Sequence, residues 1–154
     1  MPVLLTDTGS LDPDTKAYLS SIASTLTQLH IIGGTSAVSS ATATAADAVV
    51  ATVVRHAGGN RYSTATQAAS DFFKGSLAPQ KFGLASGTNF PDSLTGGLWA
   101  ALHLSPLLLS DPSTLSSETS TYLTANAGTI DSGAAFGGTS ALKQAVLDAA
   151  SALY

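Results

Sequence analysis

The chain has no cysteine and little charge: 10% of its 154 residues are Asp, Glu, Lys or Arg, and it holds one Met and one Trp. The absence of cysteine excludes disulfides, thiol nucleophiles and thiolate metal sites. No run approaches the roughly 20 apolar residues of a membrane-crossing helix, so no membrane partner is expected. Met1-Pro2 leads straight into a short strand-like stretch without the charged and apolar regions of a signal peptide. An exported protein would therefore carry this chain as its mature segment. Broad nucleic-acid binding is disfavoured by a net charge of −4. Basic residues are few but unevenly placed: Arg55, Arg61, Lys74 and Lys81 share a stretch whose single acid is Asp71. A local cationic face is expected from them.

What the chain does have is small residues, 44% hydrophobic content and an internal duplication. Residues 2–50 align without gaps on 106–154, an offset of 104, with 19 identities over 49 positions. Pro2-Val3-Leu4-Leu5-Thr6-Asp7 matches Pro106-Leu107-Leu108-Leu109-Ser110-Asp111, Tyr18-Leu19 matches Tyr122-Leu123, and Gly33-Gly34-Thr35-Ser36-Ala37 recurs as Gly137-Gly138-Thr139-Ser140-Ala141. Alanine-rich composition inflates such counts, but it does not place Pro, Tyr and Gly-Gly in register. Residues 51–105 have no second copy. The organisation expected is the second half of one repeat over 1–51 and a complete repeat over 52–154, packed as one compact unit.

Apolar spacing predicts alternating strands and helices. Strands are expected at Val3–Thr6, Leu29–Ile32, Thr52–Arg55 and Phe82–Ala85. The helices expected between them are one opening at Asp12-Pro13, an Ala-rich one over Ala37–Ala51, Ser63–Lys74 and Pro91–Leu102. Over residues 106–154 two further strand–helix pairs then repeat the first two. This rhythm implies α/β architecture: a parallel sheet flanked by helices, Toprim-like or Rossmann-like.

In such sheets ligands gather at the carboxyl ends of strands, beside helix starts. Two segments fall there. In Arg55-His56-Ala57-Gly58-Gly59-Asn60-Arg61 two guanidiniums bracket a Gly-Gly turn, suited either to bidentate recognition of an anion or to pinning the loop against an acid. Ser63 or Thr64 is expected to cap the helix that follows. In Ser86-Gly87-Thr88-Asn89-Phe90-Pro91-Asp92, Asp92 falls in a first helical turn, and Asn89 and Ser86 suit either sugar hydroxyls or loop backbone. The twin Gly-Gly-Thr-Ser segments lack both dinucleotide spacing and a Walker lysine, and read as structural turns with Thr or Ser caps. Three single histidines, His30, His56 and His103, have no acidic partner at metal-ligand spacing, and His56 alone is placed near a site. No catalytic set, metal site or cofactor is expected.

Taken together, these segments resemble the cell-wall-binding repeat 2 family, whose repeats read Arg-x-x-Gly-x-x-Arg-Tyr-x-Thr-Ala, Ser-Gly-x-x-Phe-Pro-Asp-x-Leu, Pro-Ile-Leu-Leu and a closing Gly-Gly-Thr-x-Ala turn. Here they stand as Arg55…Gly58…Arg61-Tyr62-Ser63-Thr64-Ala65, Ser86–Leu94, Pro106–Leu109 and Gly137–Ala141. The resemblance implies a Gram-positive, cell-surface module without catalysis. It would anchor a surface-layer protein or amidase, outside the cell, to an anionic wall polysaccharide, with any activity in another domain. It implies ligand contact at Arg55, Arg61, Ser86, Asn89, Asp92 and Leu107, with Leu4 and Leu5 as a partial second copy of the Pro106–Leu109 strand. Leu108 and Leu109 are favoured as core. It also implies packing with other copies, as a homo-oligomer or trimer-like group. Two other readings remain: a small hydrolase or nucleotide-using α/β enzyme with a divergent site, and a self-assembling structural module.

Overall fold

The computed structural model describes residues 2–154, which divide into two compact units, the first ending at Ala57 and the second spanning Gly58–Tyr154. The first unit contains α1 (Pro13–Ile22), β1 (Leu29–Ile32), α2 (Ser40–Asp47) and β2 (Val53–His56), with β1 and β2 paired in parallel. Asp12 caps α1, its carboxylate accepting from the amides of Asp14 and Thr15, and Pro13 supplies the pre-set first φ. The strand expected at Val3–Thr6 does not form. Val3 and Leu5 are 90% and 83% exposed, and no strand pairs with that segment, since the sheet of this unit consists of β1 and β2 alone. An apolar run becomes a strand only when another strand takes up its backbone groups. Within the expected Ala37–Ala51 helix, only α2 is helical. The amides of Ala37 and Val38 turn back onto the Gly34 carbonyl, and Ser39 caps the true start.

The second unit holds α3 (Arg61–Phe72), β3 (Lys81–Ser86), α4 (Pro91–Leu102), β4 (Leu107–Ser110), α5 (Ser117–Ala125), β5 (Ser132–Phe136) and α6 (Gln144–Ser151). Its sheet is parallel in the order β4-β3-β5. One face carries the main core: Phe82 and Leu84 of β3 and Leu108 of β4 under Ala69, Leu123 and Val146 from α3, α5 and α6. On the other face α4 lies close to the sheet because Gly83 and Gly96 meet there. A Cβ on either would come within 2.9 Å of Leu107 Cδ1, and Phe136 fills the rest. The α/β architecture with helices on both faces of a parallel sheet is as the sequence predicts.

The duplication is physical as well as textual. Thr15 and Thr119 each donate a hydroxyl to the carbonyl ten residues back, Leu5 and Leu109, at 2.6 Å in both cases. The amide of Ser39 reaches Thr8 O at 2.8 Å, and that of Lys143, 104 residues on, reaches Pro112 O at 2.8 Å. Burial differs, however. Leu4 is 36% exposed and Leu108 fully buried; Tyr18 is exposed and Tyr122 buried, its hydroxyl without a partner and its pKa pushed up to about 12 by desolvation.

Candidate functional site

At the carboxyl end of β3 two motifs 25 residues apart in sequence come together. β3 ends at Ser86, which is buried. Its hydroxyl sits 3.0 Å from that of Thr88 and accepts the Thr88 amide, bending the chain into the loop. Next to it, the amide of Gly87 donates to Ser110 O of β4 at 2.8 Å. Arg61, the first residue of α3, donates its guanidinium to the Gly87 carbonyl, and the Tyr62 ring occupies the space a Cβ on Gly87 would need. Glycine is therefore required there by close approach, not by φ.

The helix start at α3 is built by Asn60, not by Ser63 or Thr64. Asn60 Oδ1 accepts the Ser63 amide while Ser63 Oγ accepts the Asn60 amide, a reciprocal capping box. Asn60 has a further bond, donating to Glu118 Oε1 of α5 at 2.6 Å. That bond, with others from its own backbone and from Ser117, holds the Glu118 carboxyl below its ordinary value of 4.5. A depressed folded pKa adds stability above the unfolded value, and the contribution is lost as pH falls through the folded one. Melting temperatures measured from pH 6 to pH 3 are therefore expected to fall more for the native protein than for Glu118→Gln, the native protein's advantage being full near pH 6 and shrinking as the pH drops below about 4.5.

Asp92 stands in the first turn of α4, where a carboxylate complements the helix dipole. It also lies against the loop after β5, its Oδ2 2.5 Å from where a Cβ on Gly137 would be. With β3 between β4 and β5, the chain leaves β3 toward β4 and crosses back to β5. The crevice between the ends of β3 and β5 is thus the topological switch point, the usual ligand position in open α/β sheets. Asn89 is exposed in the loop over it, while Leu107 is packed against Gly83 and Gly96. Arg61, Ser86, Asn89 and Asp92 therefore come to one end of the second unit, and Leu107 lies beneath α4.

Arg55 belongs to the first unit. It is half-buried on β2 and donates to Gly33 O at 2.6 Å and Ser39 O at 3.5 Å, pinning the Gly-Gly turn to the start of α2 through carbonyls. Beside it His30 Nδ1 and His56 Nε2 lie 2.8 Å apart. Their meeting was hidden in the sequence because it depends on the β1–β2 register, 26 residues apart in the chain. Among the described residues no three metal-ligating side chains gather.

The expected cationic cluster does not form. Arg61 begins the 12-residue α3 and Lys74 follows its end, about 18 Å away at 1.5 Å per residue. Lys81 opens the six-residue β3, whose far end holds Ser86 and the Arg61 contact, about 17 Å away. Sequence adjacency groups these cations; the elements between them send them to opposite ends of the unit.

Residues 55–147 match the model of the family described as cell wall binding domain 2 (CWB2). The chain belongs to that family. No curated protein matches it. Among solved structures it is similar to Cwp6 from Clostridium difficile, with a TM-score of 0.84 at 21% identity over 99% of this chain and 23% of that one. It is also similar to Cwp8 from Clostridium difficile, with a TM-score of 0.77 at 21% identity over 99% of this chain and 25% of that one. These likenesses establish the fold, and the chain spans about a quarter of the length of either structure. As a CWB2 chain, it is a cell-wall-binding module.

Proposed function

We propose that this CWB2 module anchors a surface protein, outside the cell, to an anionic wall polysaccharide, and does so without catalysis. Its contact surface is the carboxyl end of the second unit's sheet. The observation that carries this reading is the convergence there of exposed Arg61 and Asn89 with Asp92 at the switch point. Arg61 has one guanidinium donor on the Gly87 carbonyl, and its remaining donors suit a phosphate or carboxylate of the polymer. Asn89 and Asp92 suit hydroxyl groups. Ser86 shapes the loop from within, Leu107 packs beneath α4, Arg55 holds the Gly33-Gly34 turn of the first unit, and Lys74 and Lys81 lie too far from Arg61 to add to the same contact. A polyanion is then held by one cation and several neutral hydrogen bonds.

Co-sedimentation with purified walls tests this. Binding should disappear on walls stripped of their anionic polymer and weaken only shallowly with salt, with a log–log slope of about one for a single released counterion. Asn89→Ala, at an exposed loop position, is expected to lower affinity about tenfold, the value of a hydrogen bond lost to a bound partner, with an unchanged melting temperature. Arg61→Ala should lower affinity at least as much and also melt earlier, since it frees the Gly87 loop. Equal binding to stripped and intact walls sinks the polymer assignment.

A second reading, self-assembly, is favoured by one feature. Phe90, Leu94, Leu98 and Leu102 form a stripe at four-residue spacing along α4, each 65% exposed or more. Contiguous exposed apolar patches mark interaction surfaces. Light scattering would show a mass above one chain that falls to the monomer in Leu94→Glu/Leu98→Glu if this stripe pairs copies; a monomeric native protein removes the reading.

A further inference from the structure

The outer edge of β5 is the same edge that, in the first copy, already holds a strand. In the first unit the amide of Leu29 donates to Thr52 O and that of Gly33 to His56 O, both at 2.9 Å, so β1 uses Leu29, Ile31 and Gly33 to bind β2. Their counterparts 104 residues on are Gly133, Ala135 and Gly137. In the second unit the amides of Gly83 and Gly87 point to β4, donating to Pro106 O and Ser110 O. Backbone groups alternate sides along a strand, so those of Phe82, Leu84 and Ser86 point to β5. With Leu84 opposite Ala135, the groups of Ala134 and Phe136 face β3, and those of Gly133, Ala135 and Gly137 face outward.

Beside that edge runs an open groove of about 260 Å³ between β5 and α6, lined by Ala134, Ala135, Leu147, Ala150 and Tyr154. α6 (Gln144–Ser151) is α2 (Ser40–Asp47) displaced by the same 104 residues, and α2 packs against β2. Two independent features, the outward backbone groups and the groove, thus fall where the first copy seats β2.

We propose that this edge and groove receive the opening strand of a further repeat following in the same chain, an extended segment of the Val-Val-Arg-His type. A neutral Gly-Ala-Ala edge without Pro is a template for strand addition. The side chains of the incoming strand follow from β2: the first valine and the arginine two residues on share one face of the sheet, and the second valine turns to the other. In the first copy Arg55 donates to the Gly33 carbonyl, and Gly137 is the equivalent acceptor. The source is the same chain because α2 and β2 are joined by a link as short as 48–52, which keeps the strand beside its own helix. A structural unit then ends one strand into the next sequence repeat, and the boundary of the first unit at Ala57, after β2, has that position. This holds whatever the module binds.

The test appends the sequence of residues 51–60 directly after Tyr154, which stands opposite Val50 in the repeat register. Amide hydrogen exchange is followed by NMR on the extended and native proteins. The amides of Gly133, Ala135 and Gly137 are expected to slow at least about tenfold, those of Ala134 and Phe136 to stay unchanged, and the melting temperature to rise by about 3 °C. A second extension with both valines replaced by proline should leave all five at native rates. Unchanged exchange at the three outward amides, or the same slowing with the proline extension, overturns the proposal.

Discussion

Leu108→Ala is expected to destabilise the second unit by about 2–5 kcal/mol, while Leu4→Ala, at the same repeat position, costs under about 1 kcal/mol. Leu108 is fully buried in β4, paired with Leu84 of β3 and covered by α3 and α5, so removing three carbons loses their transfer energy and leaves a cavity. Leu4 is 36% exposed in a segment that forms no strand. Urea unfolding checks this, provided the two units are resolved as separate transitions or the loss is read from the more affected one. Equal losses for the two variants would mean that the first copy packs like the second.

Gly137→Ala should be nearly as damaging, and Gly138→Ala nearly silent. Gly137 has φ +110°, a conformation that side chains rarely adopt, and its added Cβ would come within 2.5 Å of Asp92 Oδ2 and 2.8 Å of Ala141 Cβ. The backbone strain alone is about 1–2 kcal/mol, and displacing Asp92 from the first turn of α4 adds a further loss of up to about 1 kcal/mol. At Gly138 nothing lies within 4 Å and φ is ordinary. Thermal melts of both variants check the contrast. Asp92→Ala placed on top of Gly137→Ala should leave most of the loss in place, because the contact with Ala141 Cβ and the backbone strain both remain.

Much of the fold was legible because its punctuation is local. Pro91 at a first helical position marks α4 from its first residue to Leu102, and β1 lies where the apolar run Leu29–Ile32 predicts it. Where the outcome depends on a distant partner, local pattern fails. Val3–Thr6 reads like Leu107–Ser110, yet only the latter has β3 beside it. The site shows the same division. Motif spacing found the Arg61 and Ser86–Asp92 segments that converge at the sheet's end, but not that Ser86 would be buried or that Asn60 would bind Glu118. Nor does spacing say which end of a helix or strand a lysine occupies relative to an arginine one element earlier, so adjacency in sequence groups cations that the fold separates.

The unpaired stretch at residues 2–6 bears on how the chain reaches its native state. It carries nearly the sequence of β4, so before folding is complete both are candidates for the place beside β3. Chain entropy separates them: β4 closes on β3 through a connection of about 20 residues, and the earlier stretch would have to close one of about 75, a handicap of about 1.2 kcal/mol. The nearer copy is therefore captured first, and the farther one is left a decoy whose capture would show as a slow refolding phase that deletion of residues 2–6 abolishes.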